Sequence, residues 1–353
     1  MSATYRPVSW NHNKIVYDAI LLIAVAVYLW IFIQVSPALH PTAAQIDGDI
    51  LRMRAYGSCA FLMLSFILCI GPLARLDPRW LPVLYNRRHF GVLTCAVALM
   101  HAWYVLGWYF AFSPVDPFVA LLSSNTSFAR IAGFPFELFG ILALAILLVL
   151  AATSHDFWLS FLTPPVWKAM HMSLYAGYTA IVLHLALGPL MAQANAALAI
   201  VVAFSVVSVA GLHLAAAVQG AAQDRDVAQA AASSPWISAG LISDLTEGRG
   251  RVVRVKGGES IAVFRHGGRI SALANACAHQ NGPLGEGRIV EGCVTCPWHG
   301  FQYRPEDGCA PPPFTEKLAT YRVRLEDGHV LVDPRANPPG TYVEPVVIAG
   351  DAR

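Results

Sequence analysis

The sequence predicts a multi-domain membrane protein in which an all-α bundle of six transmembrane helices precedes an all-β domain. The composition supports this prediction, because 56% of the 353 residues are hydrophobic and only 13% are charged, whereas soluble domains contain about 25% charged residues. The distribution along the chain supports it as well, since long apolar runs dominate residues 1–218 and short β-type runs follow from residue 236. The formal net charge of +2 gives no indication of a nucleic-acid partner.

Six apolar runs account for the predicted bundle. Each is roughly 20 residues long, which allows a helix that rises 1.5 Å per residue to cross a hydrocarbon core of about 30 Å. An even number of spans places both ends of the bundle on the same side of the membrane. The predicted spans are about 16–35, 56–74, 90–112, 134–153, 169–190 and 196–218.

The positions of Lys and Arg predict the orientation of the bundle. With a cytoplasmic N-terminus, more of these residues flank the spans on the inside than occupy the outer loops, which agrees with the positive-inside rule. We therefore expect a multi-pass protein of the plasma (inner) membrane with a cytoplasmic C-terminal domain. The sequence shows no internal repeat. The predicted parts are a transmembrane domain at 1–218, a linker at 219–235, a β domain at 236–335 and a C-terminal tail at 336–353.

Short β-type runs and turn residues characterise the C-terminal domain. Runs at 251–256, 260–265 and 270–276 are separated by Gly-Gly pairs, and the Asp327–Gly328 dipeptide between 318–326 and 329–333 is a strong hairpin signal. The domain also carries four of the seven cysteines. Their placement in a polar region indicates a metal site rather than a disulfide framework.

Two short motifs in this domain carry the chemistry. The first reads Cys277-Ala-His279, and the second reads Cys296-Pro-Trp-His299. A [2Fe–2S] centre with mixed ligands needs two thiolates on one iron and two imidazoles on the other. The two motifs supply that set, so Cys277, His279, Cys296 and His299 are the predicted metal ligands.

The segments CAHQNGPLGEG and CPWHGFQY resemble the Rieske ferredoxin domain, and the resemblance covers residues 236–333. It implies a [2Fe–2S] cluster covered by the Pro-rich loop at 311–313. The alternative for the same four side chains is a tetrahedral Cys2His2 zinc site. Cys293 and Cys309 match no ligand position, so we expect both to be structural.

Some residues depart from the pattern of the high-potential Rieske proteins. Those proteins have a disulfide between the two cluster loops, whereas Gly282 and Trp298 stand at the matching positions here, and Phe301 replaces a Ser. Tyr303 is kept. Because fewer hydrogen bonds then reach the cluster sulfurs, we expect a reduction potential near the low end of the Rieske range, about −150 mV.

Four histidines lie in or beside predicted spans, where ionisable residues are costly and indicate a functional site. His89 and His101 belong to the third span, and His171 and His184 to the fifth. The pairs His89/His171 and His101/His184 are separated by 82 and 83 positions, so one helix register places the members of both pairs at matching depths. Bis-histidine ligation of b-type haem needs such paired imidazoles, and one or two haems are expected.

The segments at 86–108 (NRRHFGVLTCAVALMHAWYVLGW) and 167–184 (WKAMHMSLYAGYTAIVLH) resemble the ferric reductase-like transmembrane domain. The resemblance covers about residues 50–215 and implies that His101, His171 and His184 are haem ligands, with His89 as the fourth candidate. The eukaryotic members end in a flavin- and nicotinamide-binding module. The Rieske-type domain occupies that place here.

These features together predict a membrane-bound electron-transfer protein, an oxidoreductase component whose chemistry belongs to its cofactors. Electrons would come from a cytoplasmic donor of the flavin or ferredoxin reductase type and pass to quinone in the lipid bilayer or to an acceptor on the far side. Two alternatives remain open. One is a Rieske-dependent membrane oxygenase or its electron-supply component, although 336–353 is too short for a mononuclear iron domain. The other is a redox sensor, although the sequence shows no output module.

Overall fold

The computed structural model contains two compact units, His12–Ala215 and Ala216–Arg353. The first unit is helical, and the second is built mainly from β-strands. The residues that the structure describes are 12–39, 47–80, 83–84, 87–111, 114–131, 133–154, 164–192, 195–230, 236–255, 259–278, 282–297, 300–312 and 314–348.

The helical unit follows the predicted apolar runs closely. A 3-10 turn, Pro78–Trp80, follows the second helix. The last helix continues beyond the first unit, so the part of the predicted linker up to Ala230 is helical. The helices are α1 (His12–Leu39), α2 (Gly48–Leu76), α3 (Arg87–Ala111), α4 (Pro117–Ser123), α5 (Glu137–Ala152), α6 (Pro164–Leu187), α7 (Pro189–Ala192) and α8 (Ala196–Ala230).

Within the described residues, five helical segments are long and apolar enough to cross a membrane. They are Ile15–Val35, Gly48–Leu76, Arg87–Ala111, Ala169–Ala192 and Ala196–Ala222. The fourth predicted span corresponds to α5, which is apolar but has only 16 residues and so is about 24 Å long. The predicted count of six spans is therefore not confirmed, whereas a multi-pass helical unit followed by a β unit is.

Pro135 explains why α5 is shorter than the predicted run 134–153. Proline lacks a backbone N–H and disfavours helical geometry at the residue before it. The chain at this point turns instead, with the Phe136 N–H donating to the Phe134 carbonyl over 2.7 Å. The helix therefore begins only at Glu137.

The helices pack as two hairpins, α2 with α3 and α5 with α6. Each hairpin buries one face and exposes another. The core around α2 includes Leu64 and Phe61, and the Tyr178 hydroxyl meets Ser65 Oγ across helices at 3.2 Å. The opposite faces carry exposed aromatic and aliphatic side chains, among them Trp103 and Phe204. Large exposed apolar surfaces of this kind are expected where lipid replaces water as the solvent.

The β unit contains three small antiparallel sheets. One has the order β1-β10-β9, the second has the order β11-β4-β3-β2 with β8 also paired to β4, and the third has the order β5-β6-β7. The strands are β1 (Ile237–Leu241), β2 (Gly250–Val253), β3 (Ile261–His266), β4 (Arg269–Ala274), β5 (Arg288–Val290), β6 (Cys293–Thr295), β7 (Gln302–Tyr303), β8 (Thr320–Tyr321), β9 (Val323–Glu326), β10 (His329–Val332) and β11 (Val346–Val347).

The hairpin predicted at Asp327 and Gly328 is confirmed. Strands β9 and β10 pair from His329–Glu326 to Val332–Val323, and the two turn residues have φ of 48° and 75°. Positive φ at both positions is the geometry of a type I′ turn, whose twist matches that of the flanking strands. Strand β11 lies within the predicted tail 336–353, where it pairs with β4.

The side chains of the β unit form two separate cores. One packs the strands β1, β3, β4 and β10 around Val263 and Val330. The other surrounds the third sheet and contains Leu284, Val294 and Tyr303, all of which are fully buried. This second core is the one that positions the predicted cluster cysteines.

Candidate functional site

Both predicted cluster cysteines belong to the second core of the β unit. Cys277 and Cys296 are 1% and 2% exposed and pack in one apolar cluster with Leu284 and Val294. The structure therefore brings together two thiols that lie 19 positions apart in the sequence. A buried pair of thiols in an apolar setting is suited to an iron–sulfur centre, because burial excludes water and influences the reduction potential of the cluster.

The two cysteines stand at the start of loops with the same backbone closure. The Cys277 N–H donates to the Gly282 carbonyl over 2.9 Å, and the Cys296 N–H donates to the Phe301 carbonyl over 2.8 Å. Each bond spans five positions, so each loop is fixed at its base beside the sulfur. The predicted ligands His279 and His299 belong to these loops and lie outside the residues that the structure describes.

Tyr303 provides a polar contact to the buried thiols. Its hydroxyl lies 3.3 Å from Cys277 Sγ, and its side chain is fully buried. A thiolate can only accept a hydrogen bond, so the hydroxyl is the donor once the sulfur binds a metal. This arrangement favours the thiolate form that a cluster requires.

Aromatic rings cover the same core. Phe301 stands where the high-potential Rieske proteins have a Ser. Its ring centroid lies 5.3 Å from that of Tyr303 and 4.9 Å from that of Phe314. Phe314 follows the predicted Pro-rich loop. The substitution of Ser by Phe therefore replaces a hydroxyl with an apolar cover.

The described residues include the two thiols of the candidate cluster site. They contain no group of three or more His, Cys, Asp or Glu side chains that could hold a metal ion. Cys293 on β6 is buried, and burial raises the pKa of its thiol, as expected for a structural cysteine. The candidate ligands in this unit are therefore Cys277 and Cys296, with His279 and His299 from the two loops.

In the helical unit, His101 and His184 have the same surroundings. His101 Nδ1 lies 2.9 Å from the Met53 carbonyl oxygen, and His184 Nδ1 lies 3.1 Å from the Phe136 carbonyl oxygen. Both contacts join residues 48 positions apart. Because a carbonyl only accepts, Nδ1 carries the proton in each ring. In this tautomer the lone pair lies on Nε2, which is therefore the nitrogen that can bind a metal.

The imidazole rings of His101 and His184 also lie close together, with their planes nearly perpendicular. Their centroids are 6.4 Å apart, and their planes are inclined at 83°. Two metal–imidazole bonds of about 2 Å each, together with the distance from each nitrogen to its ring centre, separate opposed imidazoles by about 6 Å. The observed separation would therefore allow His101 and His184 to hold one iron between them.

The second predicted pair is placed differently. His89 Nδ1 lies 2.8 and 3.1 Å from the two carboxylate oxygens of Asp18, on α1. A carboxylate behind an imidazole fixes its tautomer and raises its basicity as a ligand. His171 is partly buried on α6. No sequence pattern indicates Asp18, because its contact with His89 joins residues 71 positions apart on two helices.

Glu137 is a buried carboxylate beside the His184 site. It is 6% exposed, and its Oε1 accepts hydrogen bonds from Asn125 Nδ2 at 2.6 Å and Ser124 Oγ at 3.0 Å. The Tyr109 hydroxyl adds a longer contact of 3.5 Å. The neighbouring residue, Phe136, provides the carbonyl for His184. These partners lie 12, 13 and 28 positions from Glu137, so no local pattern in the sequence indicates them.

Comparisons with known proteins match both parts of the chain. A family model described as ferric reductase like transmembrane component matches residues 56–182, and one described as Rieske [2Fe-2S] domain matches residues 235–322. The second segment is 38% identical over 101 residues to the anthranilate 1,2-dioxygenase ferredoxin subunit of Burkholderia cepacia, an alignment that covers 28% of this chain and 91% of that protein.

Two further matches concern the same segment. The 3-phenylpropionate/cinnamic acid dioxygenase ferredoxin subunit of Escherichia coli (strain K12) is 33% identical over 100 residues, which is 28% of this chain and 92% of that protein. A solved complex of reduced oxygenase and oxidized ferredoxin in carbazole 1,9a-dioxygenase aligns with a TM-score of 0.28 and 29% identity, and covers 29% of this chain and 96% of that one. The chain thus joins a ferric reductase-like transmembrane domain to a Rieske [2Fe–2S] domain, which are two electron-transfer modules in one polypeptide.

Proposed function

We propose that this protein transfers electrons between a [2Fe–2S] cluster and b-type haem in the membrane. The cluster is held by Cys277, His279, Cys296 and His299. The observation that carries the proposal is the matched environment of His101 and His184, whose Nδ1 atoms are engaged by backbone carbonyls and whose ring centroids are 6.4 Å apart. These two histidines hold one haem between α3 and α6.

The residues around the two proposed cofactors orient the ligand side chains and favour their metal-binding forms. Met53 and Phe136 fix the imidazole tautomer through their carbonyls, and the Tyr303 hydroxyl donates to the Cys277 sulfur. The apolar cores around Leu284 and around α2 exclude water from the ligands. The cofactors supply one-electron redox chemistry when bound. No side chain of the protein is required as an acid, base or nucleophile.

A second haem is held by His89 and His171. The contact of His89 Nδ1 with the Asp18 carboxylate supports this part of the proposal, because metal-ligating histidines usually donate their other ring N–H to a carboxylate or carbonyl. In this arrangement α5 completes a bundle of six spans. Its length of 16 residues is accommodated by local thinning of the bilayer.

The protein lies in the plasma membrane with a cytoplasmic Rieske domain, which receives electrons from a reductase of the flavin or ferredoxin type. Quinone in the bilayer, or a compound on the far side, accepts them. Positive residues at the predicted inner flanks support this orientation.

A second candidate function is electron supply to an oxygenase. The similarity of the Rieske segment to ferredoxin subunits of dioxygenases favours it. In that case an oxygenase elsewhere accepts the electron from the cluster.

Spectroscopy of the full-length protein in detergent tests the proposal. We expect a reduced b-type α band, a rhombic Rieske EPR signal and at least one haem per cluster. His101→Ala and His184→Ala should each abolish the haem between α3 and α6 while the Rieske signal remains.

His213→Ala is the matched control. His213 also lies on a membrane helix, but its Nδ1 lies 2.8 Å from the Val209 carbonyl and its Nε2 lies 2.9 Å from the Tyr175 hydroxyl. Both ring nitrogens are therefore engaged, and haem content should not change. Absence of haem from the unmodified protein, or full haem content in both His101→Ala and His184→Ala, would contradict the proposal.

A further inference from the structure

The environments of His101 and His184 share one more feature, which is a glycine under each imidazole. A Cβ placed on Gly57 would lie 2.8 Å from Nδ1 and 2.9 Å from Cε1 of His101. A Cβ placed on Gly140 would lie 3.0 and 3.1 Å from the same atoms of His184. In both cases the ring occupies the space that any other side chain would fill.

The two glycines hold equivalent positions in the two helix pairs. Gly57 lies four positions after Met53, whose carbonyl engages His101, and Gly140 lies four positions after Phe136, whose carbonyl engages His184. Each glycine is therefore one helical turn from the carbonyl that engages the same ring. One turn of α2 fixes the His101 ring by a hydrogen bond and by close packing, and one turn of α5 fixes the His184 ring in the same way.

This packing restricts rotation of each ring. A hydrogen bond at Nδ1 alone leaves the imidazole able to tilt about the N–O direction. Each ring fills the space where a Cβ of the glycine would lie, and the helix backbone on that side limits the tilt, because it does not yield as a flexible side chain does. Two such constraints fix the angle between the ring planes, which is 83°.

We propose that Gly57 and Gly140 are positioning residues that hold the imidazoles of His101 and His184 in nearly perpendicular planes on one haem. This inference rests on the proposed function, in which those histidines ligate haem. The angle between two axial imidazole planes governs the anisotropy of the EPR signal of low-spin ferric haem, and perpendicular planes produce a strongly anisotropic signal. By holding the two rings, the glycines would influence the EPR anisotropy of a haem held by His101 and His184.

The test uses the full-length protein with Gly57→Ala and Gly140→Ala. Alanine favours a helix more than glycine does, so neither change should harm the helix itself. Gly57→Ala should weaken haem retention about tenfold, the scale of losses at groups that support metal ligands. Gly140→Ala, with the longer contact, should retain haem but give a clearly less anisotropic low-spin signal.

Gly71→Ala and Gly107→Ala are the controls. They lie on α2 and α3, the helices of Gly57 and His101, and a Cβ at either position meets no described atom within 4 Å. Haem content and the haem EPR signal should remain those of the unmodified protein. The Rieske signal in every sample reports the folding of the β unit, and helical circular dichroism reports that of the helical unit.

The outcomes separate this inference from the function on which it rests. If the unmodified protein contains no haem, the proposed function is wrong. If it contains haem that needs His101 and His184, and both Gly57→Ala and Gly140→Ala leave the haem spectrum unchanged, only the role of the glycines is wrong. Should Gly57→Ala not accumulate, the EPR signal of Gly140→Ala decides the question alone.

Discussion

The hydroxyl of Tyr303 lies 3.3 Å from the sulfur of Cys277, inside a core from which water is excluded. Tyr303 belongs to β7, whereas Cys277 precedes the first cluster loop, and the third sheet together with its loops brings them into contact. A donor at this distance stabilises negative charge on the sulfur. Reduction adds negative charge, so the contact should favour the reduced cluster.

Tyr303→Phe should therefore lower the reduction potential of the [2Fe–2S] cluster. A hydrogen bond to a charged group contributes about 1.5 kcal/mol, which for one electron corresponds to a fall of about 60 mV. Redox titration followed by EPR measures it. Tyr342→Phe, which removes an exposed hydroxyl bonded to Glu344, is the control, and an equal shift in both variants would refute the role of Tyr303.

Asp18→Asn tests the second haem. The asparagine keeps the shape of the side chain but removes the negative charge behind His89. We expect about tenfold weaker retention of the haem proposed at His89 and His171, with the haem proposed at His101 and His184 unaffected. Haem content and resolved midpoint potentials measure this, and a variant that loses only the His101/His184 haem would contradict the assignment.

Glu137 should contribute to stability through its buried hydrogen bonds. Glu137→Leu removes the acceptor of Asn125 Nδ2, whose side chain is partly buried, and an unsatisfied buried group costs about 1–3 kcal/mol. Ser124 Oγ keeps a hydrogen bond to the Leu121 carbonyl and should contribute little. Glu137→Gln retains an oxygen acceptor and should be milder. Thermal unfolding of the detergent-solubilised protein, followed by helical circular dichroism, should rank the variants in that order. Equal losses for the two substitutions would show that these hydrogen bonds do not matter.

Asp333 should make the Rieske domain sensitive to acid. Hydrogen bonds from Arg335, at 2.8 Å from Nη2 and 3.0 Å from Nε, hold the pKa of the Asp333 carboxyl below its usual value. A lowered folded-state pKa gives stability that is complete above the unfolded pKa of about 3.9 and is lost as the pH falls through the folded value.

We therefore expect Asp333→Asn to be less stable than the unmodified protein at pH 7 and to approach it as the pH falls below about 4. Thermal unfolding midpoints across this range provide the measurement. Asp327→Asn, in the exposed turn between β9 and β10, is the control, because asparagine adopts the same positive φ. A constant difference between Asp333→Asn and the unmodified protein at all pH values would exclude the ion-pair explanation.

Much of the fold could be predicted because lipid and β-sheets both impose simple patterns. The five long apolar helical segments overlap five of the predicted runs, and the hairpin turn at Asp327 and Gly328 lies where its dipeptide predicted. The cluster motifs predict a metal site because such a site needs specific side chains at specific spacing, and the four ligands stay a prediction. Cys277 and Cys296, one from each motif, lie in the same buried core.

The supporting groups could not be predicted, and the reason is physical. The carbonyls of Met53 and Phe136 leave no trace in the side-chain sequence, because every residue carries a carbonyl. Asp18 and His89 meet only through the packing of α1 against α3. The start of α5 depends on Pro135, which lies within an otherwise continuous apolar run.

The sequence also concealed the repetition of the two helix pairs. Gly57 and Gly140, like His101 and His184, are 83 positions apart. The buried residues Ala60 and Ala143, and Leu64 and Leu147, keep the same separation. Few other positions match, because lipid-facing side chains need only be apolar.

This repetition has a consequence for how the chain tolerates insertions and deletions. In each hairpin, the carbonyl at the start of the first helix and the histidine near the end of the second are joined by a fixed length of 48 positions. One residue gained or lost within α2 after Met53, or within α3 before His101, rotates the ring by about 100° relative to its carbonyl. The segment between the hairpins carries no such constraint, so natural variation in length should accumulate there and spare both hairpins.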